Sequence, residues 1–277
     1  MVTDDQQLIT LARVGSLLHA WSAGDPNHPA VVLSHGAAMD HRTFDPNLHA
    51  LLEAGYRVLT WDIRGHGRSK PLGKTPISVE DMVDDLIAVL DHFDVNAPAC
   101  IGGHSLGGYI AQKLVKRAPE RVAALVIIGS TCTTMPITRM EKWALQSSPQ
   151  WFRPWPWGHL KRTIAQSTAR HQHVRDYAAE AAAALTKDEF LAIWHAVSHC
   201  IHPEPDYRIE VPLLLTHGAQ DRTGNVARSA PKWAARDPHC TYSVIPDASH
   251  NAHQDNPEFF NQVLLDFLIK HFPGAAT

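Results

Sequence analysis

The run Cys100-Ile101-Gly102-Gly103-His104-Ser105-Leu106-Gly107-Gly108-Tyr109 constrains this chain more than any other. It sets Gly103-x-Ser105-x-Gly107 between apolar Ala99-Cys100-Ile101 and the helix-like Tyr109-Ile110-Ala111-Gln112-Lys113-Leu114-Val115. The pattern dictates a short buried strand, a very tight turn and a helix that leaves the turn at once. Such a turn strains the backbone of its central residue. A side chain at either flanking glycine would collide with the strand or the departing helix. Ser105 is thereby lifted clear of the sheet edge, at the positive end of the new helix. It becomes a nucleophile only if a base and an acid reach it; otherwise the motif is a glycine-rich loop holding an ordinary serine.

The remaining chain reads as the sheet that such a turn needs. Residues 8–12 and 16–21 form a hairpin around Val14-Gly15, and 29–34 is a continuous apolar strand ending at His35-Gly36-Ala37-Ala38. A helix over 44–54 and a strand over 56–61 lead into the glycine-rich Asp62–Ser69. Ser78 caps a helix to about Phe93, with Met82, Leu86, Val89 and Leu90 at helical spacing. After the Ser105 strand and helix comes a buried strand at 123–129. Apolar strands alternating with helices predict an α/β fold: a mostly parallel central sheet with helices on both faces. The rhythm breaks from 133 to 208, where helices are expected over 137–147, 158–170, 172–185 and 187–200 around a Trp/Pro-rich stretch at 151–157. It resumes with a strand at 213–217, a helix at 225–235, a strand at 240–245 and a last helix at 257–271. The expected organisation is a core of 1–132 and 209–277 with an inserted helical cap of 133–208.

Bulk properties narrow the partners. A chain of 277 residues, 44% apolar and 19% charged, can bury roughly three quarters of its unfolded surface, so folding needs no metal or disulfide. The net charge of −3, without basic or acidic blocks, points away from nucleic acid and from anionic membrane surfaces. Met1–Gln7 is acidic and polar, unlike a signal peptide, and no apolar run is long enough to span a membrane. Cys100, Cys132, Cys200 and Cys240 lie far apart and form no CxxC pair. A reduced, cytoplasmic protein is expected, with an oligomeric state, monomer or homodimer, that the sequence does not decide. Among 19 histidines, His195, His199 and His202 share helical spacing and His171 and His173 lie nearby. Pro203 ends that helix, no HExxH is present and no acidic ligand is fixed among them, so no metal or other cofactor is expected.

Two late loops supply a base and an acid. His217-Gly218-Ala219-Gln220-Asp221 places a carboxylate beyond the strand at 213–217, and Asp247-Ala248-Ser249-His250 places a histidine beyond the strand at 240–245. Ser, Asp and His each follow a different parallel strand, so all three can meet at one sheet edge, where open α/β sheets build their sites. His253 is a second candidate base, and Asp247 a second acid that sits too close in sequence to orient His250 easily.

Together with Asp62-x-Arg64-Gly65-x-Gly67-x-Ser69, Gly218-x-x-Asp221 and Pro257 seven residues after His250, these motifs resemble the α/β-hydrolase fold superfamily over all but the inserted cap. The resemblance implies Ser105 as nucleophile, His250 as general base and acid, and Asp221 as its orienting acid. It implies an oxyanion hole from the backbone N–H groups of Ala37 and Leu106, supported by His35, Gly36, Gly103 and Gly107. One departure stands out: many members carry a proline a few residues after the acid, and Asp221-Arg222-Thr223-Gly224-Asn225 has none. Arg64, His66 and Arg68 read as structural. In the cap, Trp143, Trp151, Trp155, Trp157, Trp194, Phe152 and Phe190 either pack the cap onto the core or line an apolar pocket. His104, Trp143, Trp155 and Trp194 are the pocket candidates.

The expected activity is a serine esterase or lactonase, cleaving a small-to-medium, fairly apolar carboxylic ester or lactone through an acyl-enzyme. The same machinery would serve an acyl-homoserine lactonase or a carbon–carbon bond hydrolase. A ligand receptor on this fold, with very slow turnover, is the non-enzymatic alternative.

Overall fold

The computed structural model describes residues 6–275; Met1–Asp5, most of the polar stretch considered for targeting, lies outside the described residues. Eight strands form one sheet: β1 (Gln7–Arg13), β2 (Ser16–Ala23), β3 (Ala30–Ser34), β4 (Arg57–Trp61), β5 (Ala99–His104), β6 (Val122–Ile128), β7 (Leu213–Gly218) and β8 (Cys240–Ile245). Their spatial order is β1-β2-β4-β3-β5-β6-β7-β8. The β1–β2 hairpin joins β4 antiparallel, and every later pairing is parallel.

The apolar strands read as they do because both faces are covered, and side chains alternate between them with period two. Val31, Leu33, Cys100, Val126 and Leu214 pack one way, beneath α1 (Asp45–Glu53) and α10 (Pro257–His271), which contribute Leu48, Leu51, Phe260 and Phe267. Val32, Ile101, Leu125, Ile127 and Leu215 pack the other way. There they meet α2 (Val79–His92), α3 (Leu106–Arg117) and α8 (Val226–Arg236), through Leu86, Leu90, Ile110, Leu114 and Trp233. Ser78 caps α2 as expected: its side chain accepts from Asp81 N–H, while the Asp81 carboxylate accepts from Ser78 N–H.

Between β6 and β7 the chain forms four helices: α4 (Arg139–Phe152), α5 (Trp157–Thr168), α6 (Gln172–Ala183) and α7 (Lys187–His199). α4 packs on α7 and α5 on α6. α4 runs past the expected end at 147, straight through Pro149. Proline there removes the N–H that would bond the Leu145 carbonyl, and the Ser148 hydroxyl donates to that carbonyl at 2.6 Å instead. A short helix, α9 (Ala252–Asp255), is a further element that the sequence pattern did not announce. No helix among the described residues is long and apolar enough to cross a membrane.

Candidate active site

Ser105 stands between β5 and α3 with φ 51° and ψ −110°, left-handed backbone that costs a non-glycine residue on the order of 1–3 kcal/mol. The surroundings hold it there. Ser105 N–H donates to the Ile128 carbonyl at 2.9 Å, and the Ser130 hydroxyl donates to the Ser105 carbonyl at 2.6 Å. A methyl on Gly107 would overlap the Ser34 carbonyl of β3, and one on Gly103 would overlap the Gly107 carbonyl. The elbow is therefore wedged between two strands and its own helix. Leu106 is the first residue of α3, so its N–H has no acceptor one turn back.

The loop after β3 carries the second oxyanion candidate. His35 is fully buried; its Nδ1–H donates to the Gly36 carbonyl at 2.7 Å and its Nε2 accepts from Ile63 N–H at 2.9 Å. His66 performs the matching task one residue past Ala37, its Nε2 accepting from Ala38 N–H at 3.1 Å. Burial, and then the nearby His35, push the His66 imidazole down to about 3, so it stays a neutral acceptor. Ala38 itself has φ 62°. Two neutral rings thus pin the backbone on either side of Ala37. The glycine-rich loop that bears His66 is anchored in turn by Arg64, bidentate to the buried Asp85 at 2.5 and 2.6 Å.

His250 Nδ1 meets Asp221 Oδ2 at 2.9 Å, with both side chains buried. Burial alone would raise the Asp221 carboxyl; the His250 ring and Thr223 N–H outweigh it and hold it below the usual carboxylate range. Thr223 N–H donates to Asp221 Oδ1 at 2.8 Å. That bond shows how the loop is fixed without the proline many relatives carry. The His250 carbonyl accepts from His104 Nε2–H at 3.1 Å. Burial first, then His250 and His253, hold the His104 ring far below its ordinary value, so it serves as a neutral donor.

His253 does not compete as base: its Nε2 bonds Thr43 Oγ1 at 2.8 Å, beside Phe44 and Phe260. Asp247 turns away from His250 to the cap, pairing with Arg170 and His171.

A cavity of about 300 Å³ lies over Ser105, between it and the inserted helices. Ala37, His104, Ser105 and His250 form its floor. Leu145, Phe152, Ile164, Phe190, Trp194 and Val197 form much of its roof. Among the described lining residues there is no lysine, arginine, aspartate or glutamate. Trp194 lines the cavity as expected, with its indole N–H donated to the Ser148 hydroxyl at 2.7 Å. Trp143 and Trp155 do not. Leu145 and Phe152, seven residues apart, occupy the inner face of α4, which turns Trp143 outward to 64% exposure, edge-on to Trp151. Trp155 sits beyond the end of α4, 39% exposed and against His159. The sequence did offer a signal for the roof: Phe190, Trp194, Val197 and Ile201 follow i, i+4, i+7, i+11. Thr131, Thr223 and Asn225, which also line the cavity, gave no such signal.

The His195 and His199 rings lie 4.0 Å apart, tilted at 35°, while His202 lies at Lys113. Among the described residues no group of three or more His, Cys, Asp or Glu side chains could hold a metal ion.

A mostly parallel eight-stranded sheet, with a strained serine after its central strand and an acid–histidine pair beyond two others, defines an α/β-hydrolase. The family model described as serine aminopeptidase, S33 (Hydrolase_4) matches residues 25–257, and this chain belongs to that family. The chain is 26% identical over 271 residues to 3-oxoadipate enol-lactonase 2 of Acinetobacter baylyi, covering 95% of this chain and 97% of that protein. A relative from Variovorax paradoxus is 38% identical over a shorter stretch of 114 residues, which is 41% of this chain and 42% of that one. Among solved structures, a thermophilic esterase from Thermogutta terrifontis superposes with a TM-score of 0.82 at 21% identity, over 96% of this chain and 99% of that one.

Proposed function

We propose that this protein is a serine hydrolase cleaving small, uncharged, apolar carboxylic esters or lactones through an acyl-enzyme on Ser105. One observation carries the reading: the strained Ser105 and the paired His250 open onto a single cavity whose described lining bears no charged side chain. An anionic substrate would lose its hydration there without a cation to replace it. Full-length similarity to an enol-lactonase supports keeping cyclic esters beside open ones. Residues 133–208 act as the cap that sizes the substrate, over a core of 1–132 and 209–277. At roughly 30 Å³ per solvent-sized group, the cavity holds about ten such groups.

The proposed chemistry uses these groups in turn. Ser105 Oγ attacks the carbonyl carbon while its proton passes to His250 Nε2. The Asp221 carboxylate keeps the other imidazole proton on Nδ1 and stabilises the cation that forms. The N–H groups of Leu106 and Ala37 receive the oxyanion, in a site that need not reorganise because the elbow and the His35 and His66 rings already fix both. Collapse expels the alcohol, which takes the proton from His250. Water, deprotonated by His250, then attacks the acyl carbonyl, and a second collapse frees the acid and restores Ser105.

Hydrolysis of p-nitrophenyl esters from acetate to decanoate tests this. Turnover should peak among the short acyl chains and fall on the order of 10⁴–10⁶ in Ser105→Ala. An ester of matched size bearing a terminal carboxylate should be cleaved at least about tenfold more slowly, for want of a cation in the cavity. No hydrolysis of any ester or lactone, or activity that survives Ser105→Ala, would refute the reading.

A further inference from the structure

Asp255 lies outside the groups just described, yet its carboxylate gathers three backbone N–H groups from two distant parts of the chain. Arg170 N–H donates to both oxygens at 3.0 Å, His171 N–H to Oδ1 at 3.0 Å, and Ser249 N–H to Oδ2 at 2.8 Å. Arg170 and His171 form the junction between α5 and α6. Ser249 immediately precedes His250. On the other side of His250, Asn251 N–H donates to the carbonyl of Thr168, the last residue of α5, at 2.8 Å. The base is thus bracketed by one direct backbone bond to the end of α5 and by one bond to Asp255, whose carboxylate in turn reaches the α5–α6 junction. Asp255 is itself buried, fixed by its own N–H to the Asn251 carbonyl at 2.9 Å. A buried carboxylate with several backbone donors makes strong, charge-assisted bonds that an amide side chain cannot reproduce.

We propose that Asp255 is a positioning residue that couples the seating of the α5–α6 junction to the placement of His250. The inference rests on the hydrolase reading for its kinetic consequence, but not for its structural one. When the junction is seated, Ser249 and Asn251 are held and the His250 ring meets Asp221. When the junction lifts, Asn251 N–H loses the Thr168 carbonyl and Asp255 loses the Arg170 and His171 N–H groups together, so Ser249 is left on a carboxylate that nothing across the junction holds, and the base loses its alignment while the cavity loses its roof. Turnover is thereby confined to the covered site, where water is limited to what the chemistry consumes.

The test uses Asp255→Asn on the core side and Arg170→Pro on the junction side, the latter deleting one N–H that Asp255 accepts together with the Arg170–Asp247 ion pair, so that Arg170→Ala, which loses the pair and keeps the N–H, is its control. Both variants and their combination are compared in the full-length protein. Three readouts are taken: kcat and KM on the best p-nitrophenyl ester, thermal unfolding, and the downfield NMR proton of the His250–Asp221 hydrogen bond. Each single variant should lower kcat about 10- to 100-fold with KM changed less than about threefold, and should broaden or abolish the downfield proton while the fold persists. The double variant should be no worse than the poorer single one, because both cut the same link. Effects that multiply would overturn the proposal, as would a normal downfield proton and kcat in a folded Asp255→Asn. If Asp255→Asn does not fold, Arg170→Pro decides alone by the same readouts. If the wild type hydrolyses nothing, the hydrolase reading has failed, and the downfield proton still decides the coupling.

Discussion

His66 and His253 are wholly buried in different parts of the core, and each has only weak partners for a positive charge. Burial first, then His35 beside the one and His250 beside the other, push both rings down to about 3, from an ordinary value of 6.5. Between those limits the unfolded chain binds protons that the folded rings refuse. Stability therefore is complete above about pH 6.5 and falls as the pH drops toward 3. Each ring contributes about 1.4 kcal/mol per pH unit within that window. At pH 5 the loss is about 2 kcal/mol per ring, or about 4 kcal/mol for the pair. His35 and His104, displaced in the same direction by burial, add to it. A typical domain has about 5–15 kcal/mol in total, so this protein should be marginal near pH 5. Urea unfolding followed by tryptophan fluorescence at pH 7.5, 6.5, 5.5 and 5 measures the loss directly. His253→Gln, which keeps a partner for Thr43 but does not titrate, should recover about 2 kcal/mol of the loss at pH 5. An unfolding free energy that is flat within about 1 kcal/mol from pH 7.5 to 5 would refute the reasoning.

Four further outcomes follow from the geometry. Trp194→Ala removes a half-buried roof residue and its bond to Ser148; it should cost about 1–3 kcal/mol by urea unfolding and move the ester optimum to longer acyl chains. Trp143→Ala, on the outer face of α4, should leave the chain-length profile unchanged and stability within about 0.5 kcal/mol. Gly107→Ala drives a methyl into the Ser34 carbonyl and should cost more than about 4 kcal/mol, seen as loss of soluble, cooperatively unfolding protein. Arg64→Ala strips the bidentate partner from the fully buried Asp85 and should destabilise the fold by about 3–5 kcal/mol in the same unfolding assay, only partly offset by Arg13.

The middle of the sheet was legible because its strands are covered on both faces, which leaves continuous apolar runs such as Val31–Leu33 and Leu213–Leu215 with few alternative readings. The candidates Ser105, Asp221 and His250 could be brought together in the sequence because each follows a parallel strand at the same edge. Orientation within the inserted helices was harder to read. Aromatic density marked α4 as important, but only the packing decides that Leu145 and Phe152 face inward and Trp143 outward. α4 runs past 147, through Pro149, and the Ser148 hydroxyl satisfies the carbonyl that the proline leaves open. Asp255 gave no local signal, because its partners Arg170 and His171 lie 85 and 84 residues away. His66 reads as structural, and its ring accepts from Ala38 N–H, in the loop after β3.

The central claim is that Ser105 is an activated nucleophile facing a cavity for uncharged substrates. Labelling with a fluorophosphonate probe, followed by peptide mass mapping, tests it most directly. The account predicts one probe per chain, on Ser105, with labelling abolished in Ser105→Ala and strongly slowed in His250→Ala. No labelling of the folded wild type, or labelling at another residue, would contradict it.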